Sequence, residues 1–282
     1  MSLNLTSLPV RNEATAIQNS FFALRNPSQA NWSQWMEQDT IWRRAILSAA
    51  NSDFIGSGYL FRRIDELEKE VSSSYVSMLG LAAALAPSFS QDRQIENYNR
   101  RCLWRHSIAT AVVAESIARI TACCSPIKAF TAGICHDIGW LELERYQETR
   151  LHYWLLLARE GGAVPEQEVS HLPQSHADAG AEYLESLEAP MWIVETARLH
   201  HRSHLSNTEN RNVVHCVSMA NFLVSRQGWT SIGTNNALAP SGLILRELDI
   251  DTGTLKMLWA QLSMFLDEAG SLANRLLTEA RR

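Results

Sequence analysis

The sequence has no apolar run long enough to cross a bilayer, no run of lysine or arginine, no CxxC pair and almost no period-2 alternation of apolar and polar residues. Each absence excludes something. The longest uncharged apolar stretch, near Met78 to Pro87, falls well short of the ~20 residues a spanning helix needs. The net charge of −5 is spread along the chain, which argues against a nucleic-acid groove or a membrane-surface patch. The cysteines, Cys102, Cys123, Cys124, Cys135 and Cys216, are odd in number and unpaired in pattern, so they read as reduced, buried thiols. Residues Met1 to Val10 lack a basic segment followed by an apolar core, so no signal peptide is expected. The expectation is a cytoplasmic protein with no membrane and no nucleic acid among its partners.

What is present is an ordinary globular composition, 46% apolar and 20% charged, over 282 residues. That is enough for one large domain or two lobes. The scarcity of strand patterning points to an all-α fold. Residues 12–26 predict a first helix. Asp39 is a plausible N-cap for a second, whose face carries Ile41, Ala45, Ile46 and Ala49. An apolar helix over 74–86 is expected to stop at Pro87. The polar stretch 88–101 is a candidate hinge, dividing an N-terminal helical lobe (1–95) from a second lobe (96–282). In the second lobe, 102–121 is apolar nearly all round and should be central. Ser125-Pro126 opens a helix running to His136-Asp137, and Gly139 then bends the chain. Ser175 can cap 176–188, Pro190 starts 190–201, and another helix covers 212–226. Two C-terminal helices follow a loop at 228–242.

Six residues carry the chemistry: His106, His136-Asp137, His176 and His200-His201. Each lies near a helix end or on a helix that should be buried. Imidazole with carboxylate suits divalent transition ions, and helices projecting such groups inward build metal centres in all-helical cores. Read singly, each has a plainer explanation. His136-Asp137 could be a helix-terminal pair, His200-His201 could complement a helix dipole, and His106 could be a satisfied core histidine. His152, His171, His204 and His215 lie outside the pattern. Glu168, eight residues before His176, reads more simply as a solvated loop acid than as a partner behind the ligands. The nine tryptophans read as core or lobe-interface residues, with Trp32 and Trp35 as a candidate partner-binding patch.

Four strings, taken together in this order, resemble the HDOD family, the HD-related output domain of bacterial signalling proteins. They are MEQDTIWRRAILSAANS (36–52), LWRHSIATAVVAESIA (103–118), AFTAGICHDIGWLEL (129–143) and SHADAGAEYLESLEAPMWIVETARLHH (175–201). The resemblance covers nearly the whole chain and extends to the HD superfamily of metal-dependent phosphohydrolases, whose signature runs H…HD…H…HH…D. It implies an all-α fold and a regulatory role through contacts with an unidentified signalling protein. It also implies a site of one or two divalent ions (Fe, Mn, Zn, Ni or Mg). Carried over residue by residue, one ion would be held by His106, His136, Asp137 and the position of Asn221. The other would be held by Asp137, His176, His200 and His201.

The chain departs from that pattern. Asn221 replaces the last carboxylate, so Asp137 is the one acid facing up to four positive charges. The site holding His176, His200 and His201 is therefore expected to fill first. Trp140 stands where cyclic di-GMP phosphodiesterases of the HD-GYP type have the lysine of HDIGK, and no GYP loop follows. That activity is not expected. The reading is a regulatory protein, and the alternative is a metal-dependent phosphohydrolase acting on a nucleotide or other phosphoester. In the alternative, Arg105, Arg198 or Arg202 would meet phosphate. A metal- or oxygen-sensing role is a third reading. The sequence leaves the oligomeric state open.

Overall fold

The computed structural model describes residues 11–54, 56, 58–159, 168–233 and 239–282. Its regular structure is helical apart from one two-stranded hairpin, so the fold is all-α. The chain groups into two units, residues 1–91 with 274–282, and residues 92–273.

The first unit contains α1 (Arg11–Arg25), α2 (Trp32–Gln38), α3 (Thr40–Ala50), α4 (Ile64–Glu70) and α5 (Ser73–Ser90). Asp39 caps α3, its carboxylate accepting the Trp42 backbone N–H at 2.9 Å. Helix α5 forms the core: every residue from Val76 to Ala86 is buried, and α1 and α3 pack against it. At Gly80 the ring of Trp32 occupies the space a Cβ would need. The Trp42 indole N–H donates to the Gly80 carbonyl at 2.8 Å. Trp32 is thus a core residue, not half of a surface patch with Trp35, because its indole buries more apolar area against α5 than solvent exposure would allow. Helix α5 also continues through Pro87 to Ser90, past its expected end. Pro87 cannot donate to the Ala83 carbonyl, but the turn beyond it buries Phe89 fully. The Ser90 hydroxyl donates to the Pro87 carbonyl at 2.8 Å.

The second unit opens with β1 (Gln94–Ile95) and β2 (Tyr98–Asn99), paired antiparallel with Gln94 opposite Asn99. Then follow α6 (Arg100–Thr121), α7 (Pro126–Cys135), α8 (Gly139–Tyr146), α9 (Glu148–Arg159), α10 (Glu168–His171) and α11 (His176–Ser186). After these come α12 (Met191–Leu199), α13 (Arg211–Arg226), α14 (Gly242–Glu247) and α15 (Thr252–Ala280), whose last residues group with the first unit. The polarity of 92–101 serves a buried contact. Glu144, fully buried, accepts from Tyr98 Oη at 2.7 Å and Arg100 Nε at 2.8 Å, and pairs with Arg93 Nε at 3.0 Å. Two guanidinium groups and a phenol offset the desolvation of one carboxylate and tie the hairpin to α8.

Helix α6, apolar nearly all round, is central as expected, with α7 and α13 packed on it. The tightest approach lies between α8 and α11. A Cβ on Gly139 would stand 1.9 Å from the His176 carbonyl oxygen and 2.6 Å from the Gly180 nitrogen. A bare backbone at Gly139 therefore lets the start of α11, and His176 with it, reach the His136-Asp137 turn. Among the described residues, no helix is long and apolar enough to cross a membrane.

Gly139→Ala is expected to lower stability by at least about 1–3 kcal/mol, because backbone rather than a side-chain tip must move. Gly242→Ala, where a Cβ meets nothing within 4 Å, should leave Tm nearly unchanged. Thermal melts of the two variants check this, and equal melting temperatures would refute the packing argument.

Candidate metal centre

Four chain segments of the second unit deliver the histidines. His106 projects from the first third of α6, and His136-Asp137 form the turn between α7 and α8. His176 is the first residue of α11, whose N-cap Ser175 accepts the Asp178 backbone N–H at 3.0 Å. His200 and His201 follow the end of α12. His106, His136, Asp137, His176 and His200 are each at most 2% exposed, and His201 is half-buried.

The two oxygens of Asp137 face different groups. Oδ2 lies 3.4 Å from Nε2 of both His106 and His136. Oδ1 lies 3.2 Å from His176 Nε2 and 3.3 Å from His200 Nε2, and His201 Nε2 is 3.2 Å from His176 Nε2. Each side offers ligand atoms that all lie within 4.8 Å of one another: His106, His136 and Asp137 on one, and Asp137, His176, His200 and His201 on the other.

Ring orientation follows from what the opposite nitrogens do. His136 Nδ1–H donates to the Gly133 carbonyl at 2.7 Å and His200 Nδ1–H to the Ala197 carbonyl at 2.9 Å. Each acceptor lies three residues back, in the last turn of the preceding helix. His106 Nδ1–H donates to the Trp229 carbonyl at 2.7 Å. His176 Nδ1–H donates to Glu168, 2.7 Å from Oε2, and the same oxygen accepts the His176 backbone N–H at 2.9 Å. Four rings thus spend Nδ1–H on outer acceptors and turn Nε2 toward one carboxylate, the arrangement that orients imidazole for metal. Asp137 Oδ1 is buried, with the His176 and His200 Nε2 atoms 3.2 and 3.3 Å from it. Acceptor atoms converging around such an oxygen leave a buried charge that a cation satisfies, so the donor set fits a divalent metal.

Burial alone would raise the Asp137 pKa, but the charge of His136 and hydrogen bonding from the neighbouring imidazoles hold it well below the usual carboxylate range. Burial pushes His136 down to about 4. His201 is also lowered, by burial and then by His200 and His176. For His176, burial works downward, but Glu168 and Asp137 outweigh it and lift the pKa to about 10. In the metal-free protein His176 therefore carries the compensating proton.

Glu168 is fully enclosed, not the solvated acid its position suggests. The eight-residue offset from His176 was its signal in the sequence. Asn221 lies on α13, where its Oδ1 accepts the Ser225 hydroxyl at 3.2 Å, one turn along the same helix. Trp140, the residue in place of a lysine, lies parallel to His176 with ring centroids 4.4 Å apart, and Trp154 stacks on Trp140 with centroids 5.2 Å apart. Among the described residues, two cavities touch the cluster. One, of about 390 Å³, touches His106 and is lined by Arg105 and Trp229, the guanidinium lying 4.3 Å from the Trp229 ring centroid. The other, of about 180 Å³, touches His176 and His201 and carries Arg202, which lies 3.8 Å from Asp178. Arg198 turns to Glu185 at 3.1 Å and lines neither cavity.

An all-helical fold carrying a buried histidine/aspartate centre on an HD turn defines the class of HD-type proteins. A family model for the HDOD domain matches residues 12–203, and the chain belongs to the HDOD family. Three solved structures share the fold. An HDOD domain protein of unknown function from Geobacter sulfurreducens has a TM-score of 0.79 at 18% identity, over 97% of this chain and 94% of its own. A "putative phosphohydrolase" from Shewanella amazonensis SB2B has a TM-score of 0.73 at 18% identity, over 96% and 95%. A "putative signal transduction protein" from Marinobacter aquaeolei VT8 has a TM-score of 0.73 at 16% identity, over 100% of this chain and 62% of its own. No curated protein matches.

The raised pKa of His176 sets a pH dependence. A histidine normally near 6.5 and lifted to about 10 contributes stability that is fully present below 6.5 and is lost as pH rises through 10. A divalent ion takes the place of that proton. The Tm of metal-free protein should therefore fall between about pH 7 and 10 on this account, while the Tm of manganese-loaded protein should not. Parallel melts across that range decide it, and identical slopes would count against the assignment.

Proposed function

We propose that this chain is a regulatory HDOD protein of bacterial signal transduction that acts through contacts with another signalling protein, with its HD-type centre as a buried, metal-holding scaffold. The observation that carries this reading is the burial of the cluster together with the residue that stands at position 140. Five of the six cluster residues are at most 2% exposed, and Trp140, which stands at the position of the HDIGK lysine, stacks on His176 instead of offering a cation. Catalytic metal sites keep a coordination position open to substrate, and the four protein donors of the His176 group leave less room for one than the three of the His106 group.

In this reading one ion is held by Asp137 Oδ1 with His176, His200 and His201, and a second by Asp137 Oδ2 with His106 and His136. A bound divalent ion would supply Lewis acidity and a more acidic water at the site. Glu168 supports the first group, because a carboxylate behind an imidazole raises its basicity toward metal. Asn221, its amide oxygen engaged by Ser225, adds no charge to the second. The first ion should therefore bind in the His176 group. His200→Ala and Glu168→Gln are each expected to weaken that ion about 10–100-fold, while His106→Ala should spare it. Competitive titration with manganese or ferrous ion reads this directly. A tight ion lost in His106→Ala but retained in His200→Ala would reverse the order.

The alternative, a metal-dependent phosphohydrolase, draws on one feature, the arginine beside each cavity. The cavity at His176 and His201, about 180 Å³, is below the roughly 300–1,000 Å³ of ordinary ligand pockets. The cavity at His106, about 390 Å³, falls within that range, and its Arg105 and Trp229 suit a phosphate and a ring. A screen of phosphoesters and cyclic nucleotides with manganese- or iron-loaded protein separates the two readings. No turnover with metal bound is the expected result. Turnover that Asp137→Ala abolishes would put the phosphohydrolase in place of the regulator.

A further inference from the structure

Outside the histidine cluster, a second group of soft donors comes together in the same unit. Helix α6 ends at Thr121, and Ala122 reverses the chain in the left-handed region, φ 51°. Cys123 and Cys124 follow at once, before Ser125 and Pro126 start α7. Cys216 comes from the middle of α13. Its Sγ lies 3.4 Å from Cys123 Sγ and 3.8 Å from Cys124 Sγ, and the three sulfurs all lie within 4.8 Å of one another. The loop is held in place independently of the thiols. Asn212, one helical turn before Cys216 on α13, donates from Nδ2 to the Cys123 carbonyl at 3.0 Å. Cys216 is buried, whereas Cys123 and Cys124 are half-buried, so they are not all the core thiols that the sequence suggests. The group has a solvent-facing side.

The spacing matches a specific chemistry. With zinc–sulfur bonds of about 2.3 Å, tetrahedral geometry separates ligand sulfurs by about 3.8 Å. Three thiols already near that spacing, on a loop pinned to a helix, need little rearrangement to close on one ion. Three thiolates suit a soft or borderline cation and discriminate against magnesium, calcium and manganese, which prefer oxygen. With three protein ligands, a fourth position on the exposed side remains for water or an external thiol.

We propose that Cys123, Cys124 and Cys216 form a second metal site, selective for a thiophilic cation such as zinc and separate in ligands and preference from the histidine centre. Binding replaces the thiol protons, which leave to solvent as the sulfur–metal bonds form.

The test uses the full chain, reduced, stripped with chelator and reloaded with zinc. Wild type should take up about one more zinc per chain than the Cys123→Ser/Cys124→Ser double variant. Cadmium in place of zinc should give the ultraviolet thiolate-to-cadmium charge-transfer band, which imidazole and carboxylate do not produce. Asp137→Ala should keep the band. Positions 123 and 124 are half-buried, so the double variant keeps the test decisive even where the core change Cys216→Ser prevents folding. Equal zinc uptake by wild type and double variant, or no band at saturating cadmium, overturns the proposal. So does a Cys123–Cys216 disulfide that forms in air equally fast with and without zinc, which would make the pair a redox element.

Discussion

A buried carboxylate needs a counter-charge, and the architecture of the second unit follows from giving one to Asp137. Withdrawing such a group from water costs several kcal/mol even after relaxation. Five imidazoles surround it, with the two oxygens facing separate groups at 3.2–3.4 Å. In the metal-free protein the compensation is a proton on His176, retained because Glu168 stands behind the ring. A divalent ion offers a stronger compensation and needs no change in the outer hydrogen bonds. Those bonds, to carbonyls of Gly133, Ala197 and Trp229, already leave Nε2 directed inward. The same arrangement therefore suits both a protonated resting state and a metal-bound one.

Bringing these groups together depends on helix packing at close range. The α8–α11 approach admits no side chain at Gly139. The reward is that the first residue of α11 lies beside the HD turn, and its backbone N–H reaches the same Glu168 carboxylate as its ring. Trp140 follows from this approach as well. Once His176 is held there, the neighbouring indole covers its face. That stack covers one face of the His176 ring and fixes its orientation beside Asp137.

The first unit uses the same economy in apolar form, with two tryptophans converging on the bare backbone of Gly80. In the second unit, polar residues that look like loop in sequence, Arg93, Tyr98 and Arg100, meet the fully buried Glu144. Glu144 and Glu168, both buried, each bind groups from another segment of the fold and so hold two elements in one position.

Much of this was legible in the residues. The helical period determined the all-α class, Asp39 and Ser175 marked helix starts, and the order H…HD…H…HH marked the six cluster residues, because spacing along helices is a local property. Other features were not legible. Pro87 was expected to end α5, but burial of Phe89 carried the helix past it. Glu168 looked like a solvated acid, and the carbonyl of Trp229 has no side-chain signature at all. Cys123 and Cys124 are separated from Cys216 by more than ninety residues, and only the packing of α13 on α6 brings them together. The sequence by itself determined the helices, through periodicity and capping, and its resemblance to the HDOD family singled out the six residues that the fold brings together. Tertiary structure alone decided which second groups stand behind them, how buried the centre is and which thiols meet, because those depend on distances between segments far apart in the chain.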